Sequence, residues 1–260
     1  MLNLFLDTYY VASRELKKYF RQKARIVVSF IQPLVWLVLM GNTMSRLTST
    51  GNGSQLFGTS NYLSFMTPGI ILMTVMMTSI FSGISIVWDR RIGFLDKLLA
   101  APIKRGAIPF GKMLASAVQG LIQAAIIIVI ALLLGVRFQT GFLGVLLIFL
   151  IGAMIAFVFG GISLALASKI TTMENLQAII NMLTMPLIFS SSAMFPIQAM
   201  PHWLQIIARL NPLTYAVNIM RNLVISGWQT NIIYNILILL VIDFVVILLV
   251  NRVFEKAVSE

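Results

Sequence analysis

The sequence contains no cysteine, which removes disulfides, thiolate metal ligands and cysteine nucleophiles together. It holds a single histidine, His202, beside Trp203, with no second histidine or clustered carboxylate to complete a metal site. Charge is scarce: 10% of the 260 residues are charged, 59% are hydrophobic, and the mean hydropathy is +0.94. A soluble domain of this length needs far more charged surface. A phosphate loop is missing too. Its nearest approach, Gly111-Lys112-Met113, lacks the preceding glycine frame and the metal-binding hydroxyl. The chain is therefore expected to bind no nucleotide, metal or other cofactor and to catalyse no reaction itself. If ATP and magnesium drive it, they sit on a partner polypeptide. No cleavable signal peptide is expected, because the first long apolar run follows a charged stretch and continues to span length.

What the sequence does have is long apolar runs. A helix crossing the hydrocarbon core needs about 20 predominantly apolar residues, and such stretches recur at 26–44, 62–87, 114–134, 142–167, 176–194 and 232–250. They are too long for barrel strands. The expected fold is an all-α integral membrane protein with six transmembrane helices, forming one permease-like domain over 1–260. Pro33, Pro68 and Pro186 are tolerable inside spans, where neighbours re-satisfy the freed carbonyls.

The net charge of +11 suggests nucleic acid until the cations are located. They lie between the apolar runs rather than on one patch, so no nucleic-acid partner is expected, whereas membrane lipid is. Arg14, Lys17, Lys18, Arg21, Lys23 and Arg25 precede the first span, and Arg90, Arg91, Lys97, Lys104, Arg105 and Lys112 separate the second and third. With Lys169, Arg252 and Lys256 that makes fifteen on one side, against Arg46, Arg137, Arg209 and Arg221 on the other. The positive-inside rule puts both termini in the cytoplasm.

Three segments outside the spans carry a pattern. Residues 3–25 place Phe5, Tyr9, Ala12, Leu16 and Tyr19 on one helical face and Asp7, Arg14, Lys18, Arg21 and Arg25 on the other, as an interfacial helix on the inner leaflet would. Within 88–112, Phe94, Leu95, Leu98 and Leu99 recur at helical spacing until Pro102, so this short cytoplasmic helix needs a membrane surface or a soluble partner to cover it. Residues 195–231, on the external side, contain two half-length amphipathic segments, expected to be re-entrant or to lie on the outer leaflet. Residues 45–61, rich in Gly, Ser, Thr and Asn, read as a flexible external loop.

Inside the spans, Asp243 stands alone as a carboxylate in an apolar run, a costly placement that points to packing against protein or to a polar pathway. Gly152, Ala156 and Gly160 recur every four residues, a face that admits close helix approach. The methionines of 73–81 offer an adaptable lining for greasy ligands, or ordinary packing.

The order of elements now resembles a known family. An amphipathic N-terminal helix and two spans lead into Trp-Asp-Arg-Arg-x-Gly-Phe-Leu-Asp-Lys-Leu-Leu-x-x-Pro, and NPLTYAVNIMRNLVISG precedes the last span. Over essentially its whole length the chain resembles the membrane subunits of type-2 ATP-binding-cassette exporters, most specifically at 68–102 and 211–227. The resemblance implies a dimer of such subunits, a homodimer ahead of a heterodimer, with two ABC ATPase subunits docked beneath. It implies that the turn after the second span couples ATP hydrolysis to motion, which assigns the ATPase interface to Arg90, Arg91, Gly93, Phe94, Asp96, Lys97, Leu98 and Pro102. Many members carry an acidic residue where this chain has Arg91, so the charge of that contact differs here. The expected role is export across a prokaryotic plasma membrane, of an amphipathic small molecule or drug ahead of a lipid or polysaccharide. The rival of another class is a secondary transporter, which repeat symmetry and paired intramembrane charges would mark; the sequence has neither.

Overall fold

The computed structural model describes residues 2–48, 59, 61–170 and 172–259, and among them every regular element is helical. Helix α1, Leu2–Arg21, contains neither glycine nor proline, and Lys18 and Arg21 complement the partial negative charge of its last turn. After Gln22 the chain enters α2, Lys23–Thr48, with 91° between 4–21 and 26–39. Asn61 starts α3, Tyr62–Arg91, by accepting the Leu63 N–H at 3.0 Å.

Helix α3 is the hub, packed against α5 (Ala107–Leu133) and α6 (Gly141–Lys169) and touched by α2 and by the helix Pro212–Arg221. Its buried hydroxyls are satisfied within the helix: Thr67, Thr74, Thr78 and Ser79 each donate to the carbonyl four residues back. The approach to α6 is close because small residues meet there. Ser163 donates to the Ile80 carbonyl at 2.6 Å and Ser82 to that of Gly160 at 3.2 Å. The small face of α6 is turned inward: a side chain at Gly160 would meet Ser116 of α5 and Ser82 of α3, and Ala156 is fully buried. Gln123 of α5 joins four helices, its Oε1 lying 2.7 Å from Thr78 Oγ1 while its amide nitrogen donates to Ser29 and Tyr19.

Between α3 and α5 lies α4, Phe94–Ala100. Beyond α6 come α7 (Met173–Phe189), the short helices α8 (His202–Leu210) and α9 (Pro212–Arg221), a π-helical turn over Asn222–Ser226, and α10 (Asn231–Ser259). Asn211 separates α8 from α9, accepting the Leu213 N–H while donating to the Leu187 carbonyl at 2.6 Å and thereby tying α9 to the end of α7.

Helices α3, α5, α6 and Asn231–Val253 of α10 are long and apolar enough to cross a membrane, and the bent pair α1–α2 brings the candidates to five. The chain is thus a multi-pass helical membrane protein. The first expected span, 26–44, falls on α2, which enters that count only with α1; the fifth, 176–194, falls on α7, which stops after 17 residues at a turn through Ser190–Ser192. The helix carrying the third expected span begins at Ala107, seven residues before the expected 114, and takes in Lys112, a charge expected in the loop and here paired with Asp89 and Glu15. The flexible loop expected at 45–61 lies mostly outside the described residues, and α2 covers its first four.

Candidate functional site

Helix α1 lies across the start of α5, and Gly111 makes that approach possible: a Cβ there would sit 2.6 Å from Val11 Cβ and 2.9 Å from the Thr8 carbonyl oxygen. The buried strip of α1 is Val11, Ala12, Glu15 and Tyr19, while Phe5, Leu6, Tyr9, Tyr10 and Phe20 are exposed. The expected apolar face is therefore split. Ala12 and Tyr19 pack inward, Phe5 and Tyr9 point outward, and a carboxylate occupies the inward strip.

Glu15 is there because Lys112 faces it. The Lys112 ammonium is 1% exposed and donates to Asp89 Oδ2 at 2.6 Å, Ser85 Oγ at 2.8 Å and Glu15 Oε1 at 3.0 Å. Three acceptors match its three N–H groups. Asp89, fully buried at the end of α3, also accepts from Arg14 Nη1 and Nη2 at 3.3 and 3.4 Å and lies 3.6 Å from Lys18 Nζ. Arg14 bonds Glu15 at 2.9 Å, and Ser85 donates to the second Glu15 oxygen. Three cations and two carboxylates from three helices thus form one network. Removing one partner from such a buried cluster costs about 3–5 kcal/mol, because a desolvated charge is left alone.

The network reaches α4 directly, with the Arg14 guanidinium 3.6 Å from the centroid of the Phe94 ring. Gly93 makes the reversal between α3 and α4 at φ +68°, with open space where a side chain would go, so backbone conformation rather than crowding favours glycine. Leu95 is buried, and Leu98 and Leu99 pack half-buried against the core. The chain's own helices therefore cover much of the apolar side of α4. Its exposed side carries Asp96 and Lys97, with Arg91 and Ile92 exposed in the turn before it and Pro102 in the turn after. The loop behind is tied down where the Lys104 N–H donates to Asp7 Oδ2 at 3.1 Å.

The residues singled out from the sequence are not all together. Phe94 and Leu98 face inward, and Arg91, Asp96, Lys97 and Pro102 face outward. Arg90 turns away to the end of α6, donating to the carbonyls of Ser168 and Ile170 as a C-terminal cap. Asp243 lies elsewhere, on α10, buried with no hydrogen-bond partner for Oδ1 among the described residues.

The network itself was not legible beforehand. In the sequence Arg14, Lys18 and Lys112 read only as basic side chains, and Glu15 and Asp89 belong to no motif with a stated spacing. One signal was present: with eight acidic residues in the whole chain, an acid on the inward side of an amphipathic helix requires a partner.

At the opposite end of α3, Arg221 of α9 lies 3.8 Å from the Phe65 ring centroid and donates to the Ser192 carbonyl at 2.7 Å and the Phe65 carbonyl at 3.4 Å. One guanidinium thereby fastens α9, the start of α3 and the turn after α7.

Comparison with known proteins gives a consistent relationship. Residues 7–225 match the ABC-2 type transporter family. A Cyanophora paradoxa protein named for transport permease ycf38 is 31% identical over 250 residues, covering 91% of this chain and 84% of the relative. The daunorubicin resistance ABC transporter permease protein DrrB1 of Streptomyces coeruleorubidus is 28% identical over 198 residues, 74% of this chain and 66% of the relative. An Escherichia coli K12 protein named for multidrug ABC transporter permease YbhR is 27% identical over 177 residues, 67% of this chain but 47% of the relative.

Proposed function

The chain belongs to the ABC-2 type transporter family, and on that premise we propose that it is the permease subunit of an exporter, driven by ATP bound to a separate subunit. Its 260 residues form one permease domain, assembled as a homodimer over two ABC ATPase subunits that hold the ATP and magnesium. In this reading α2 and α7 complete a set of six spans, both termini and α4 are cytoplasmic, and α8 and α9 sit in or on the outer leaflet of a prokaryotic plasma membrane. The cargo is an amphipathic small molecule, a class supported by the daunorubicin-resistance name of the Streptomyces relative and the multidrug name of the Escherichia one.

The observation that carries the reading is the path from Phe94 through Arg14 to Asp89 and Lys112. A push on α4 from a docked ATPase meets no soft layer. It passes into an aromatic ring, a guanidinium and a buried ion pair, and so into the roots of α1, α3 and α5. Arg91, Gly93, Asp96, Lys97 and Pro102 form the docking surface and its hinge, Phe94 and Leu98 transmit, and Arg90 fixes α6 to the same base. A buried charge network resists deformation because separating its members exposes unpaired charge.

Absence of cysteine provides the test. Asp96→Cys or Lys97→Cys, on the outward face of α4, forms a zero-length crosslink with a cysteine on the ATPase subunit when the two are co-expressed. Crosslinking from Asn235→Cys on α10 but from neither α4 position contradicts the reading.

A further inference from the structure

Between α1, α3, α5 and the first residue of α7 lies a half-open cavity of about 270 Å³. One wall is polar, with Glu15, Lys18 and Lys112 of the ion network and the amides of Gln22 and Gln119. The other is greasy, with Phe81 and Trp88 of α3, which are 43% and 44% exposed, and Met173. A second, open cleft of about 540 Å³ runs along the outside of α1, lined by Arg14, Lys17, Lys18 and Arg21. The cavity and the cleft share Lys18 and Gln22 as a common wall.

The charges decide what fits. Asp89 and both oxygens of Glu15 are taken by Lys112, Arg14 and Ser85, and all three Lys112 donors are used. Lys18 alone is loosely held, by one 3.6 Å contact to Asp89, although an ammonium carries three donors. The five charged groups leave one positive charge over, at Lys18, with Lys17 and Arg21 adding to it in the cleft. A cationic ligand is repelled and an anion attracted. The Gln119 amide, half-buried on the cavity wall, has no hydrogen-bond partner among the described residues and is available to one. The source of the anion follows from the surroundings, since α1 exposes Phe5, Tyr9, Tyr10 and Phe20 as a helix lying in a lipid interface does.

We infer that this cavity binds the anionic headgroup of an amphiphile drawn from the leaflet on which α1 lies. Lys18 anchors the negative charge, Gln119 bonds the oxygens next to it, and the apolar tail leaves along Phe81 and Trp88. The inference deepens the exporter reading by giving its ligand a headgroup charge, and it rests on that reading only for the placement of α1 at a lipid interface. A resident regulatory lipid and a transported amphiphile share the same chemistry here.

Trp88 serves as the reporter. With Trp36, Trp203 and Trp228 replaced by phenylalanine, the full chain goes into lipid nanodiscs carrying chain-brominated phosphatidylglycerol or, at equal mole fraction, chain-brominated phosphatidylcholine. Phosphatidylglycerol is expected to occupy the site about fivefold more strongly, the gain from one lysine beside an anionic lipid. Lys18→Gln removes that preference, Lys17→Gln (which touches only the outer cleft) keeps most of it, and Gln119→Leu weakens it. Equal quenching by the two lipids in the parent overturns the inference, whatever the variants do. So does a preference that survives Lys18→Gln, or one lost equally in Lys17→Gln, which marks general surface attraction. The assay contains no ATPase subunit, so a failed energy-coupling reading leaves its result intact. With the ATPase subunit and ATP added, appearance of a head-labelled lipid in the opposite leaflet identifies the occupant as cargo. A change in ATPase rate without lipid movement identifies a resident lipid, and either result requires the occupied site.

Discussion

The guanidinium of Arg14 rests 3.6 Å from the centroid of the Phe94 ring while its nitrogens bond the Asp89 carboxylate. An aromatic residue on the short helix α4 is thereby linked to a buried acid at the end of the central helix. The N-terminal helix supplies the link, so α1 is part of the base of the molecule and not a separate anchor.

The ion network predicts an unusual order of stabilities. Lys112→Met leaves Asp89 and Glu15 short of a cation and costs about 3–5 kcal/mol. Lys112→Met with Asp89→Asn removes a charge of each sign and should recover part of that loss. Thermal unfolding of detergent-purified protein, followed by fluorescence-detected gel filtration, measures both. A double variant less stable than the single one would mean that the network does not act as a balanced set.

Phe94 separates transmission from folding. Phe94→Leu keeps an apolar side chain but loses the ring face, worth about 0.5–2 kcal/mol depending on solvation. Abundance should stay near normal while substrate-stimulated ATP hydrolysis by the assembled transporter drops, and Phe94→Tyr should retain it. Transport and hydrolysis by Phe94→Leu matching the parent at equal expression would remove the ring from the coupling path.

Sidedness is open to direct labelling. Gln198 and Lys97 are both exposed and lie toward opposite ends of α3. In intact cells an impermeant thiol reagent should modify Gln198→Cys, and should modify Lys97→Cys only after permeabilisation. The reverse pattern would invert the orientation.

Gly83 tests the contact between α3 and α6. A Cβ at this position would lie 2.3 Å from Ser163 Oγ and 2.4 Å from the Ser163 carbonyl oxygen. Backbone cannot move aside as a side-chain tip can, so Gly83→Ala should destabilise the protein by about 1–3 kcal/mol, the usual range for overpacking. Gly120→Ala meets Val75 at a looser 3.2 Å and should cost less. Equal melting temperatures for the two variants would argue against so close an approach.

Much of the membrane character was present in the linear sequence. The apolar runs at 62–87, 142–167 and 232–250 coincide with helices because no water in a bilayer satisfies an open backbone, so a long apolar stretch has one regular solution. The short helix beginning at Phe94 was legible from the leucine spacing and from Pro102, and the two half-length helices from their length. The matching of α1 was poorer. Its aromatic residues divide between the two sides, Tyr19 inward and Phe5, Tyr9 and Phe20 outward, so periodicity does not say which strip faces protein.

Composition and order alone determined that this chain is helical, built for lipid, and without a phosphate-loop motif. Those properties depend on local sums of hydropathy and on residue types, which need no partner to be read. Tertiary structure decided which charges are buried. Lys112 looks like any other basic residue of a loop until α5 extends through it and α1 and α3 bring Glu15 and Asp89 to within 3.0 Å. Glu15 and Asp89 stand 74 positions apart in the chain, and no spacing rule joins them. Desolvation makes the pairing obligatory once the helices meet, but only the helix packing brings them together.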